Sequence, residues 1–158
     1  MKVFLKPGEI YVGREPAEVS TILGSCVSVT MFSGRLKLGA ICHALLPSGR
    51  ASEDKDKFRY VDTSILYMLE IFEKMGVTSR ELEIKLLGGA DVIERINGNG
   101  TTIGTKNIET ALQVLKSRSL ELTGSHVGGT VGRKIHFCTR TGKVLLKRIK
   151  GVPQGGIW

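Results

Sequence analysis

Aromatic residues are scarce in this chain of 158 residues: one tryptophan, three tyrosines and five phenylalanines, 6% of the total. With so few stacking platforms, and no zinc-binding, helix-turn-helix or RNA-reading motif, nucleic-acid binding is disfavoured despite a net charge of +8. Long apolar runs are missing as well. None approaches the roughly 20 residues that cross a bilayer, so no membrane insertion is expected. The apolar part of Met1–Pro7 is too short for a secretory leader. Cysteine is limited to three residues, an odd number that argues for a reducing, cytoplasmic setting. Acidic side chains stop at Glu121, whereas Arg133, Lys134, Arg140, Lys143, Lys147, Arg148 and Lys150 follow it. A patch of one sign steers partners of the other, although most charge runs are merely solvated faces.

Four prolines against twenty glycines imply many tight turns between short strands. No repeat, low-complexity tract or linker interrupts the chain, and 41% apolar content supports one domain over residues 1–158. Tyr60 to Met75 reads as a helix, with Asp62 or Thr63 as its cap and Gly76 just beyond its end. Ile65, Leu66, Leu69, Phe72 and Met75 form its apolar face. A second helix is expected from Lys106 to Lys116, with Ile108, Ala111, Leu112 and Leu115 inward. Glu83–Leu87, Leu120–Thr123, Lys134–Thr139 and Val144–Ile149 read as strands, the last two joined across Arg140–Lys143. The fold class is mixed α/β and strand-rich, with helices packed on sheet. Ser48–Lys57 is polar and charged, as expected of a loop near the mouth of a site.

Two further strands frame the chemistry. Ser25–Thr30 and Leu36–His43 read as a hairpin about Ser33-Gly34-Arg35-Leu36. If Gly34-Arg35 is a two-residue type II′ loop, paired residues have numbers that sum to 69, and Cys26 lies opposite His43. Opposite side chains share a face with β-carbons about 4.5–5.5 Å apart. An imidazole in that place takes the thiol proton and returns it to a leaving group, since thiolate is the reactive form. Ser20 and Thr21 both carry a hydroxyl suited to orienting the second ring nitrogen. Gly24-Ser25 lets the backbone turn tightly and aim amide N–H groups at a developing oxyanion. The plain alternative is a buried small cysteine beside a core histidine. Cys42 is expected to face away from His43 and belong to the core.

Other patterns are weaker. Gly98–Gly104 resembles a phosphate-cradling loop, but no strand leads into it and no Gly-Lys-Ser/Thr follows. His136 and Cys138 alternate onto one face of a strand, yet two ligands without another close pair make a poor zinc site. No metal and no organic cofactor are expected.

The order of these blocks resembles the CheD family of chemoreceptor glutamine deamidases. The resemblance rests on Leu23–Val29, Gly39–Pro47, Lys85–Ala90, Ile103-Gly104 with Asn107, Val127–Gly129, Gly132–Ile135 with Phe137, and Thr141–Val144. It runs from about Gly8 to Ile149. The resemblance implies two packed β-sheets with helices covering an outer face. It also implies Cys26 as nucleophile, His43 as general base, and a hydroxyl residue, Ser20 or its neighbour Thr21, as the third member. Gly24 and Ser25 would border the substrate. His126 stands where the family usually has an acidic residue, and is read as structural or as part of partner docking. The implied reaction converts glutamines of methyl-accepting chemotaxis receptors to glutamate, with glutamyl methyl-ester hydrolysis as a second activity. The acidic helical bundle of such a receptor is the natural partner of the basic C-terminal region. The alternative is a regulatory binding partner of a CheC-type phosphatase acting on phosphorylated CheY.

Overall fold

The computed structural model describes residues 1–49, 56–91 and 101–149. Nine strands and two α-helices are present among them: β1 Lys2–Phe4, β2 Ile10–Gly13, β3 Glu18–Leu23, β4 Val27–Ser33, β5 Leu38–Cys42, α1 Val61–Lys74, β6 Leu82–Gly88, α2 Ile103–Ser117, β7 Gly124–Val127, β8 Gly132–Cys138 and β9 Val144–Ile149. The strands form a four-stranded sheet, β1-β3-β8-β9, and a five-stranded sheet, β2-β5-β4-β6-β7. Both are mixed, since β1 pairs parallel with β3 and β6 parallel with β7. The expected α/β, strand-rich architecture is therefore present.

Two apolar layers hold it together. Val19, Leu23, Ile135 and Phe137 of the smaller sheet pack on Phe32, Ile41 and Leu87 of the larger one. On the other side of the larger sheet, Val29, Met31, Ala40 and Ile84 meet Ile65, Met68 and Phe72 of α1 and Leu115 of α2. The helices thus cover one outer face, and β4 is buried along its whole length. Apolar and hydroxyl side chains alternate from Val27 to Met31, with Val27, Val29 and Met31 in the helix-side core, yet burial on both faces encloses Ser28 and Thr30 as well.

Several local expectations change. The hairpin loop holds four residues, Gly34–Lys37, with the left-handed conformation at Lys37 (φ 54°) and not at Gly34. Observed pairs such as Thr30–Ile41 and Ser33–Leu38 have numbers that sum to 71, so Cys26 does not lie directly opposite His43. No side chain caps α1 at its start: Asp62 and Thr63 lie inside the first turn, and the Thr63 hydroxyl donates back to the Lys57 carbonyl. Gly76, at φ 80°, ends α1 as expected. Met75 and Leu112 are exposed, not inward, while Asn107 takes a buried position on α2. Leu120–Thr123 is not a strand. Its first residue closes α2 through Leu120 N–H to the Leu115 carbonyl, and pairing with β6 begins only at Gly124. Residues 50–55 of the polar Ser48–Lys57 stretch, and 98–100 of the glycine turn, lie outside the described residues.

Candidate active site

Thr21 and His43 make a buried polar contact within the largely apolar interface between the two sheets. Thr21 projects inward from β3, where burial alternates strictly, and His43 follows directly after β5. Thr21 Oγ1 lies 2.7 Å from His43 Nδ1 and donates to the Leu5 carbonyl, also at 2.7 Å. A hydroxyl has one proton to give. With that proton committed to Leu5, the ring must donate to Thr21. The chain therefore runs His43 Nδ1–H to Thr21 Oγ1–H to Leu5 C=O, which leaves Nε2 with its lone pair. Ser20 is on the opposite face of β3, paired with His136 of β8, and makes no part of this chain. Of the two hydroxyls that the sequence left open, Thr21 is the one against His43.

Cys26 precedes β4 and packs, half-buried, against the inter-sheet layer. Continuing the observed register from Thr30–Ile41 to the Val27–Ala44 bridge sets Ser28 opposite His43. Cys26 is then the diagonal neighbour of His43. The displacement from the expected register is two residues, so both side chains keep the same face. Diagonal neighbours have α-carbons about 7–8 Å apart, with β-carbons somewhat closer. Cys42 points the other way into the helix-side core, as expected, where the Val29 N–H donates to its sulfur at 3.4 Å.

Burial acts on both groups in the direction of their neutral forms. Burial pushes the Cys26 thiol up to about 11, a rise only partly offset by its own N–H. Burial also pulls His43 down to about 4, opposed by the Leu5 carbonyl. Both shifts favour the neutral thiol and imidazole over a thiolate–imidazolium pair. Cys42, fully enclosed, is pushed up to about 12 and is inert.

The turn before Cys26 is clamped from three sides. The Gly24 carbonyl accepts from Ala90 N–H at 2.9 Å and the Cys26 carbonyl from Gly89 N–H at 2.8 Å. The amide of Asn107 donates to the carbonyls of Ser25 and Leu45, both at 3.0 Å. Asn107 thereby ties the Cys26 turn to the segment just beyond His43. Composition gives no hint of that role; the signal available was a single asparagine on the inward face of an amphipathic helix. The glycines have steric reasons of their own. A β-carbon on Gly88, at φ 103°, would sit 2.4 Å from the Cys26 carbonyl oxygen, and one on Gly104 would sit 2.5 Å from that of Gly89. Ser28 Oγ, opposite His43, is buried with no hydrogen-bond partner among the described residues.

A family model described as CheD chemotactic sensory transduction matches residues 45–148. The chain belongs to the CheD family. A Geobacter sulfurreducens relative named probable chemoreceptor glutamine deamidase CheD 2 is 50% identical over 147 residues, covering 93% of this chain and 89% of that protein. A Maridesulfovibrio salexigens protein named probable chemoreceptor glutamine deamidase CheD is 41% identical, covering 94% of this chain and 92% of its own. One of the same name from Thermococcus kodakarensis is 34% identical, covering 94% of each. The family model begins at Leu45, but matches of this length to CheD relatives extend over Cys26 and His43 as well. Among the described residues no helix is long and apolar enough to cross a membrane.

Proposed function

We propose that this protein is a chemoreceptor glutamine deamidase working through a glutamyl thioester on Cys26. The observation that carries the reading is the buried His43–Thr21–Leu5 chain, which holds Nε2 as a free base on the face it shares with Cys26. The names of its CheD relatives supply the substrate class.

The reaction starts from neutral groups. As Cys26 sulfur attacks the carboxamide carbon of a receptor glutamine, His43 Nε2 takes the thiol proton, and a tetrahedral oxyanion forms. The N–H groups of Ser25 and Cys26 serve as its donors. Peptide planarity fixes their direction, because the carbonyls of the same two peptide planes, Gly24 and Ser25, are tied to Ala90 and Asn107. The carbon–nitrogen bond then breaks and the imidazolium returns its proton to the departing ammonia. Water, deprotonated by His43, attacks the thioester; the carbon–sulfur bond breaks, Cys26 regains a proton and glutamate is released. Thr21 does not touch the reacting atoms. It is a positioning residue that keeps the ring in one tautomer. A glutamyl methyl ester would follow the same route with methanol leaving.

The test is incubation with a purified receptor cytoplasmic fragment, with glutamine-to-glutamate conversion followed by peptide mass spectrometry. Conversion by the wild type and none by Cys26→Ala supports the mechanism. Conversion by both removes Cys26 from it. Conversion by neither replaces the enzyme with the regulatory alternative, a binding partner of a CheC-type phosphatase.

A further inference from the structure

Beside the Cys26 turn, where the strand-end loops of both sheets meet, lies a groove of about 600 Å³ lined by His126, Gly128, Arg133 and Arg148, with no carboxylate among its lining residues. Gly128 N–H donates to the Gly88 carbonyl and Asp91 N–H to that of Gly129, so the groove adjoins the same glycine loop that clamps Cys26. Arg133 and Arg148 are directly paired across β8 and β9. Like charges in that relation destabilise a sheet unless something offsets them. What lies between them is an imidazole. Arg133 Nε donates to His126 Nδ1 at 2.8 Å and Arg133 Nη2 to the Gly128 carbonyl at 2.6 Å. Accepting at Nδ1 puts the proton of a neutral ring on Nε2, and Arg148 Nη2 faces that nitrogen at 3.3 Å. A donor therefore faces a donor. Arg133 is only 3% exposed, and its Nη1 is buried with no hydrogen-bond partner among the described residues. Burial and the Arg148 charge both lower the Arg133 pKa, and burial followed by the two arginine charges lowers that of His126. Two guanidinium charges and an N–H thus share one recess with no anionic side chain among the described residues that line it.

We propose that this groove is a carboxylate subsite that takes an acidic side chain of the polypeptide presented to Cys26. The assignment rests on the deamidase reading for its source of carboxylate, but the anion chemistry stands on Arg133, Arg148 and His126 alone. A carboxylate seated between Arg148 Nη2 and His126 Nε2–H accepts from both and separates the two cations. It also places a residue near the target glutamine, which makes an acidic neighbour part of substrate selection.

The experiment titrates the isotopically labelled full chain with sodium glutarate at constant ionic strength, reading the arginine Nε–H and histidine ring resonances by NMR. Saturable shifts at Arg133, Arg148 and His126, lost in Arg148→Gln and in His126→Asp, support the subsite. The second variant keeps both guanidinium groups and supplies an internal carboxylate that competes for the subsite. On a receptor fragment, Arg148→Gln is expected to raise KM about tenfold, as is neutralising the acidic side chains beside the target glutamine. Absence of saturable shifts overturns the proposal, as does binding of inorganic phosphate without glutarate. Glutarate binding by a wild type that converts no glutamine supports the anion site and overturns the deamidase reading instead.

Discussion

Thr21 and His43 come from different sheets, yet Oγ1 and Nδ1 lie 2.7 Å apart in a buried interface. One hydroxyl proton, already given to Leu5, decides the tautomer of the ring. The arrangement needs the two sheets docked in one register, so the same packing that makes the core also sets the orientation of the ring.

Thr21→Val removes the acceptor of the Nδ1–H and leaves that donor buried. The expected result is a fall in kcat of about 10- to 100-fold, corresponding to roughly 1–3 kcal/mol for an unsatisfied buried group. Thr21→Ser should retain most activity. Ser20→Ala, on the outer face of the smaller sheet, should change kcat less than about twofold. A kinetic comparison of the three variants on a receptor fragment checks this; equal losses from Ser20→Ala and Thr21→Val would refute it.

The buried, neutral His43 makes stability depend on acid. Its folded pKa, about 4, lies below the ordinary value of 6.5, so between these values the unfolded chain binds the proton and the native one does not. Stability is therefore full above pH 6.5 and is lost as pH falls toward 4, by an amount on the order of 3 kcal/mol. Urea unfolding from pH 7.5 to 4 should show this slope, and His43→Gln should remove that part of it.

Thiol reactivity should follow environment, not proximity to a histidine. Cys138 is partly exposed and its thiol is lowered chiefly by the Thr141 side chain, whereas burial raises Cys26 to about 11 and Cys42 to about 12. With limiting iodoacetamide at pH 8, mass spectrometry should find Cys138 modified first and Cys42 last. Labelling of Cys26 should still be rising at pH 10. Rapid labelling of Cys26 that levels off below pH 7 would mean a preformed ion pair.

Asn107 bridges the carbonyls of Ser25 and Leu45. Asn107→Ala should cost about 2–3 kcal/mol of stability and lower kcat, because both carbonyls lose their donor. Asn107→Asp should be worse than alanine at neutral pH, since it turns a carboxylate toward two carbonyl oxygens. Thermal unfolding and kinetics of the pair give the order; an aspartate variant as stable as wild type would exclude this bridging role.

Much was legible in the chain because it depends on local pattern. The apolar stripe of α1, its glycine end and the β8–β9 hairpin follow from side-chain periodicity and turn chemistry, which are properties of neighbouring residues. The shared face of Cys26 and His43 was legible too, even though the loop holds four residues instead of two. A strand repeats its facing every two residues, so an error of two in register moves the partner without turning the side chain over. An error of one would have lost the site.

The choice between Ser20 and Thr21 was not legible, because adjacent residues on a strand face opposite ways and nothing local says which face meets the other sheet. Nor was the role of Asn107, whose acceptors lie 82 and 62 positions away along the chain. The sequence by itself determined the residue types, the strand and helix periods and the family. Tertiary structure alone decided which hydroxyl meets the imidazole, which tautomer the ring holds, and that burial shifts both Cys26 and His43 toward their neutral forms. The reason is physical: hydrogen-bond direction and desolvation depend on what packs around a group in three dimensions, and here those neighbours come from the opposite sheet.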